Sequence, residues 1–422
     1  MNPKTFMLIA GETSGDLLGA ELVPEIGDIL ADIGALPTPD YQPLHASLAP
    51  RFFGAGGPLM AAAGVDLAFD LTAHSVIGLS DVIKNYFKFR RLFQRLYRLA
   101  LEREPDAIIC IDFSGFNRRF AQAIRRFTRA RRDWFHDWNP KIIQYVSPQV
   151  WASREGRVYS MARDYDLVLS IFPFEPAWYA RRVPQLPVRF VGHPILDRYR
   201  HPPCPGGDRE NSEPAAEPLV LLLPGSRGSE LERHLPVLVQ SLALMRASIP
   251  ALRARMVLPN EALVKQAKTF GLPANLEVQA GGLPEALCEA QVAVASTGTV
   301  TLECAYFGVP TVALYITSWT TFQIGKRLVN VKHLAMPNLL ADTEVFPEFI
   351  QDAATPQNIA QAALDLLFDS KRRGQIKSKL AEIIKSLGEP GASRRAAREI
   401  VNLIEPRQTK AAEPTGGAAQ AR

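Results

Sequence analysis

Short apolar runs alternate along the chain with segments whose apolar residues recur at helical spacing. The runs fall at 6–10, 52–54, 107–111, 142–146, 167–172 and 188–191. This alternation predicts an α/β fold, a parallel sheet covered by helices. Residues 200–218, RHPPCPGGDRENSEPAAEP, are rich in Pro, Gly and charge and carry no period, which reads as a linker. The pattern then restarts. LVLLLPGSRGSELERHLPVLVQSLALM reads as strand, loop and helix, ARMVLP, LEVQA and VAVAS as strands, and TPQNIAQAALDLLF as a helix. The expectation is two doubly wound, Rossmann-like domains, 1–199 and 219–405, facing each other across a cleft, with the last helix able to pack back on the first domain. Ligands in such sheets bind at the carboxyl ends of the strands. Residues 406–422 read as a disordered tail and 32–50, with four prolines, as a surface excursion.

Length and composition agree with this plan. At 422 residues the chain is long for one core, and 47% hydrophobic with 22% charged residues is ordinary for a globular protein. No apolar run approaches the roughly 20 residues of a membrane span, and no secretory signal is expected from the first residues. Cys110, Cys204, Cys288 and Cys304 are scattered without metal-like spacing, so reduced, structural cysteines in a cytoplasmic protein are expected. Net charge is +5 but concentrated: residues 81–103 carry seven Lys/Arg against two acids, and 118–133 seven Arg against Asp133. Such a surface suits nucleic acid, an anionic membrane or a phosphorylated substrate.

The strand-ending loops hold the candidate chemistry. The first, GETSGD, lacks three-glycine dinucleotide spacing, and Glu12 there would repel a phosphate. In LLLPGSRGSELE, Gly225 and Gly228 permit close backbone approach, Ser229 and Glu232 have capping-box spacing, and Arg227 beside Ser226 offers a fork-shaped donor. A helix start with such a donor suits an anion; a capped helix with a solvated Arg is an equal alternative. ASTGTVTLE repeats the design with Ser296, Thr297, Gly298 and Thr299, and Glu303 lies one helical turn in, where a carboxylate can accept both ribose hydroxyls. The plain alternative is that Thr297 caps the helix and Glu303 favours its dipole. In IDFSGFN, Asp112 ends a strand before Ser114, Gly115 and Asn117, and reads as a general base or an N-cap. YVSPQVWASREGRV, with Ser147, Trp151 and Arg154, reads as a sugar or acyl platform or an ordinary loop with a buried Trp. His193 is more often structural than catalytic, and with Asp197 makes no metal site.

Residues 77–102 combine a wide apolar stripe (Ile83, Phe87, Phe93, Leu96, Leu99) with Lys and Arg elsewhere. This reads as an interfacial helix, with Phe87, Phe93, Lys88 and Arg91 on the membrane side. The alternative is a core helix with a basic edge. No nucleic-acid motif accompanies the charge, and no nucleic-acid partner is expected.

Together, GETSGD, IDFSGFN, YVSPQVWASREGR, VGHP, LLPGSRGSE, ASTGTVTLECAYFGVPTVALY and MPNLLA resemble the lipid-A-disaccharide synthase family, in family order over residues 6–345. The resemblance implies the GT-B architecture. It also implies an inverting glycosyltransferase that joins UDP-2,3-diacylglucosamine to 2,3-diacylglucosamine 1-phosphate, giving UDP and a β-1,6-linked lipid A disaccharide. Carried over motif by motif, it makes Asp112 the base and Glu12 the first-loop acid. It makes Arg227, with Ser226 and Gly225, Asn338 and the Thr297–Thr299 loop donor groups, and Glu303 the ribose carboxylate. Ser14, Gly15, Ser147, Trp151 and His193 then line the acceptor side, with Gly11 and Gly15 letting the backbone approach the sugar. Ser153, Gly115, Ile77 and Asp81 depart from the family pattern. No Asp-x-Asp motif adjoins the phosphate loops, so no metal or other cofactor is expected. The basic amphipathic region is expected to dock the protein on the cytoplasmic face of the inner membrane, and the reading is compatible with a homodimer. The alternatives are another GT-B enzyme, such as a UDP-N-acetylglucosamine 2-epimerase or a peptidoglycan glycosyltransferase, and a non-catalytic, membrane-bound nucleotide-sugar sensor.

Overall fold

A computed structural model describes residues 3–34, 49–74, 86–132, 137–199 and 217–405. The tail from 406, most of the 200–218 linker, the centre of the 32–50 excursion, and Ile77 and Asp81 lie outside the described residues. The chain forms two compact units, one of Met1–Pro148, Val158–Val191 and Gly391–Arg422, the other of Gln149–Arg157 and Gly192–Pro390.

The first unit is built on seven parallel strands: β1 (Thr5–Ala10), β2 (Arg51–Gly56), β3 (Asp66–Asp70), β4 (Ala107–Ile111), β5 (Lys141–Tyr145), β6 (Leu167–Ser170) and β7 (Val188–Phe190), in the order β3-β2-β1-β4-β5-β6-β7. Phe6–Ala10 and Ala107–Ile111 have no exposed surface, as expected where helices cover both faces of a parallel sheet. β1 pairs with β4 in the register Leu8↔Ile109 and Ala10↔Ile111. The strand order reverses there, and the loops after β1 and β4 emerge side by side. The helix Thr13–Gly34 covers this switch point through Leu18, Leu22, Val23 and Ile26, in one cluster with Ala396, Ala397, Ile400 and Val401 of the helix Ala392–Ile404. The last helix thus belongs to the first unit.

The second unit carries six parallel strands: β8 (Leu219–Leu223), β9 (Arg253–Leu258), β10 (Glu277–Ala280), β11 (Val292–Ser296), β12 (Thr311–Tyr315) and β13 (Glu348–Ile350), in the order β10-β9-β8-β11-β12-β13. Its switch point lies between β8 and β11, paired through Leu223↔Ala295. Gln149–Arg157 joins this unit because Ser153 bridges Val329 and the Asn330 N–H donates to the Ala152 carbonyl at 2.8 Å.

Three features differ from the sequence reading. β3, β12 and β13 are additional strands; β3 and β13 are short, partly exposed edges without a continuous apolar run. The helix after β8 starts at Gly228 on the N-cap Arg227, so Ser229 lies inside it and makes no capping box. Glu230 closes that turn instead, accepting from the Ser226 N–H at 2.8 Å. Cys110 and Cys304 are free and buried, whereas Cys288 is disulfide-bonded, a departure from the wholly reduced expectation.

Candidate active site

At the first switch point, Asp112 and Phe113 both take left-handed backbone angles, with φ of 47° and 40°. Left-handed conformations cost non-glycine residues about 1–3 kcal/mol each, and persist where the surroundings over-determine them. Here they do. The Asp112 N–H donates to the Tyr145 carbonyl at 2.9 Å. The Asp112 carbonyl accepts from Asn117 Nδ2 at 2.9 Å and Gln144 Nε2 at 3.2 Å, both side chains being fully buried. The Phe113 ring lies where a Gly11 side chain would begin, 2.3 Å from an ideal Cβ. Gly11 therefore makes room for Phe113, not for a sugar. Gly15 differs: an ideal Cβ there would make only ordinary contacts, at 3.4 Å to Ala10 and 3.5 Å to the Ile111 carbonyl, so the residue lies against the sheet without packing demanding a glycine.

The N-cap of the helix after β4 is Phe113, which removes the capping explanation for Asp112. Its half-buried carboxyl accepts hydrogen bonds from the Phe113 N–H and the Ser14 side chain, and burial pushes its pKa above the usual carboxylate value. A carboxylate held this way is more basic than one in water, as a general base requires. Glu12, half-buried, ends the β1 loop. Asp16 of the same motif, missed from sequence, is 1% exposed and accepts from the N–H groups of Gly57 at 2.7 Å, Leu59 at 3.0 Å and Met60 at 3.1 Å. It ties the helix Thr13–Gly34 to the β2 loop.

The other acceptor-side candidates are less open. Ser147 is buried and donates to the Tyr179 hydroxyl at 3.1 Å, so it is not a ligand-facing group. Trp151 is also buried, as the ordinary-loop reading has it. His193 Nδ1 accepts from the Ile195 N–H at 3.1 Å, and burial pushes the imidazole down to about 3. This neutral ring is structural. Its folded pKa lies below the unfolded value of 6.5, so its contribution is fully present above 6.5 and is lost as pH falls toward 3. We expect stability to drop by up to about 2 kcal/mol on this account between pH 7 and pH 5. Urea melts of wild type and His193→Asn at the two pH values check it; an equal drop in both rejects the assignment.

In the second unit, Gly225 has φ 128°, and an ideal Cβ there would fall 2.3 Å from Glu230 Oε2. Only glycine fits. Ser226 and Arg227 are exposed, and the Arg227 guanidinium stands 3.5 Å from Glu230 Oε1. In the neighbouring loop, the Thr297 N–H donates to the Leu314 carbonyl at 3.0 Å, and Gly298, φ 139°, is the N-cap of the helix Thr299–Tyr306. Thr297 is therefore not the cap, and its neighbours Gly298 and Thr299 are exposed. Glu303 Oε1 accepts from the Tyr199 hydroxyl at 2.8 Å and Arg198 Nη1 at 3.3 Å. Both partners were missed from sequence. Asn338 is fully buried and saturated: Oδ1 accepts from the Val345 and Phe346 N–H groups at 2.8 and 2.7 Å, and Nδ2 donates to the Phe346 carbonyl and Glu348 Oε1 at 2.7 and 2.8 Å. The amide has no hydrogen-bonding position left for a donor and instead braces the segment before β13.

On the basic helix Tyr86–Arg103, Phe87 is 72% exposed and Lys88 and Arg91 are exposed. Phe93 differs: its ring centroid lies 5.4 Å from Phe116 and 5.7 Å from Phe120, both edge-on. It belongs to the packing against the helix Ser114–Ala130, which corrects its assignment to the membrane side. Phe93→Ser should cost roughly 2 kcal/mol in urea-monitored stability, about half the value of a fully buried Phe. Phe87→Ser should leave stability within about 0.5 kcal/mol; equal losses would reverse the distinction. Among the described residues, no three His, Cys, Asp or Glu side chains gather as metal ligands, and no helix is long and apolar enough to cross a membrane.

The family model for lipid-A-disaccharide synthetase matches residues 6–402. A lipid-A-disaccharide synthase of Geobacter metallireducens is 33% identical over 410 residues, covering 95% of this chain and 97% of that protein. Among solved structures, the UDP complex of S. aureus MnaA aligns with a TM-score of 0.59 at 13% identity, over 95% of this chain and 97% of that one. Acinetobacter baumannii MurG aligns with a TM-score of 0.51 at 16% identity, over 96% of this chain and all of that one. At these identities the structural likeness is one of fold, and it identifies two Rossmann-like units of the GT-B type. A putative UDP-N-acetylglucosamine 2-epimerase of Listeria monocytogenes aligns with a TM-score of 0.56 at 12% identity, over 96% of this chain and 98% of that one, so the epimerase alternative is matched in fold only. The match through nearly the whole sequence goes further: the chain belongs to the lipid-A-disaccharide synthetase family, a glycosyltransferase of lipid A disaccharide synthesis.

Proposed function

We propose that the protein condenses UDP-2,3-diacylglucosamine with 2,3-diacylglucosamine 1-phosphate by a single inverting displacement. Asp112 takes the proton of the acceptor 6-hydroxyl as that oxygen bonds to the donor's anomeric carbon. The bond from that carbon to the diphosphate oxygen breaks, and UDP leaves with the electron pair. Arg227, the helix starts after β8 and β11, and the Thr299 hydroxyl offset the charge on UDP. Glu303 takes the ribose hydroxyls, and no resident metal is needed. The observation that carries this reading is Asp112, held in a strained backbone by two buried amides, with its carboxyl made more basic by burial. The test uses defined acylated donor and acceptor with mass spectrometry of the product, with and without EDTA. A β-1,6 disaccharide in both samples is expected. UDP release without disaccharide would reject the transfer, and loss with EDTA would reject the metal-free mechanism.

From the exposed Phe87, Lys88 and Arg91 we infer peripheral attachment to the cytoplasmic face of the inner membrane, where acylated substrates are embedded. Each basic residue near an anionic surface contributes about 1 kcal/mol. Binding to anionic vesicles should weaken with salt, and the remainder at high salt should fall in Phe87→Ser while UDP binding is kept. Unchanged vesicle binding by the folded variant would count against this surface.

A further inference from the structure

His234 is a fully buried histidine on the helix Gly228–Ser248, outside every group assigned above. Its Nδ1 lies 2.6 Å from the Pro224 carbonyl, and its Nε2 accepts from the Ile316 N–H at 3.0 Å. A carbonyl can only accept and a backbone N–H can only donate. The partners therefore require the neutral ring with the proton on Nδ1. Burial pushes the imidazole pKa down, which keeps that form.

The place of these partners in the sheet gives the bond pair its meaning. β8, β11 and β12 are consecutive neighbours, with β11 in the middle. Pro224 opens the loop after β8 that ends in Gly225, Ser226 and Arg227. Ile316 opens the loop after β12. Between them lies the Thr297–Thr299 loop after β11, itself tied to β12 by the Thr297 N–H on the Leu314 carbonyl at 3.0 Å. One side chain thus fastens the two outer loops across the middle one, and all three stand at the carboxyl edge of the sheet. Pro224 leaves this loop without an N–H of its own at that position, so its carbonyl is the group available to hold it.

We propose that His234 is a positioning residue for the donor: it sets the separation of the β8 and β12 loops and thereby the fit of the nucleoside diphosphate between them. This rests on the donor reading given under Proposed function. His234 touches no substrate in this assignment and acts only through the backbone of the two loops.

The test compares His234→Leu, which keeps bulk and loses both bonds, with His234→Asn, whose amide can still donate to Pro224 but cannot reach Ile316. UDP binding is measured by calorimetry, and KM is measured separately for donor and acceptor, with Arg227→Ala as a reference. His234→Leu should weaken UDP about tenfold and His234→Asn about threefold, at one to two hydrogen bonds' worth of loop order. Donor KM should rise in parallel and acceptor KM should stay within twofold on the same scale. If His234→Leu does not fold, the Asn variant decides. UDP affinity unchanged in folded His234→Asn, or donor and acceptor KM rising together, overturns the proposal. If Arg227→Ala also binds UDP normally, the donor reading itself has failed; if only Arg227→Ala is impaired, the fault lies with the positioning role alone.

Discussion

Asp112→Asn should lower kcat by about 10²–10⁴-fold, the usual loss for a missing general base. The substitution keeps the shape of the side chain, and its Oδ1 can still accept from Ser14 and the Phe113 N–H. The backbone clamp from Asn117 and Gln144 acts on the main-chain carbonyl and is untouched. UDP affinity should therefore change little. Because burial raises the carboxyl pKa, the ionised base exists only above a pH higher than the ordinary 3.8. The acidic limb of kcat/KM should lie above that value and disappear from the residual activity of the variant. Stability moves the other way. A carboxyl whose folded pKa is raised destabilises the fold while ionised, and this penalty fades as pH falls through the folded pKa. The variant should thus melt at or above the wild-type temperature at pH 7, with the gap closing in acid. A kcat within about tenfold of wild type would remove Asp112 from the chemistry.

Arg227→Ala should weaken UDP by roughly 10- to 100-fold, since a charge-assisted hydrogen bond contributes about 1.5–3 kcal/mol. The exposed guanidinium has only a 3.5 Å approach to Glu230 in the fold, a pair of the kind that adds little to stability. The variant should therefore fold normally. Glu303→Gln separates the two halves of the donor. It should weaken UDP several-fold but leave inorganic diphosphate, which has no ribose, unaffected. Tyr199 and Arg198 hold Oε1 in place, so the second carboxylate oxygen remains for the sugar. Equal losses for UDP and diphosphate would reject the ribose role, and wild-type UDP binding by Arg227→Ala would reject the phosphate role.

Much of the fold was legible because of how parallel sheets are buried. β1, β4, β8 and β11 are covered on both faces, so they appear in sequence as unbroken apolar runs. β3 and β13 have only edge burial and no such run. The loops at the switch points were legible through their glycines and small polar residues, which only a sharp strand-to-helix turn requires. What escaped was the use of each group. Phe87 and Phe93 belong to the same wide apolar stripe, and periodicity assigns both to one surface. Only the arrival of Phe116 and Phe120 from the next helix covers one and leaves the other exposed. Gly11 looked like room for a ligand and proved to be room for Phe113.

Local chemistry by itself determined the fully buried strands β1, β4, β8 and β11, the two-unit plan and the polar loops that end those strands. These depend on residues a few positions apart, whose patterns of burial and turn formation are set by the neighbouring backbone. The tertiary structure alone decided which polar group stays exposed and which is spent inside the protein. Asn338 is saturated by the segment before β13, Ser147 by Tyr179, and Glu303 is shared with Tyr199 from 104 residues away. His234 meets Ile316 across 82 residues. A hydrogen bond requires its partners within about 3 Å in the right direction. No period along the chain encodes that distance; it exists only once the sheet has placed its loops.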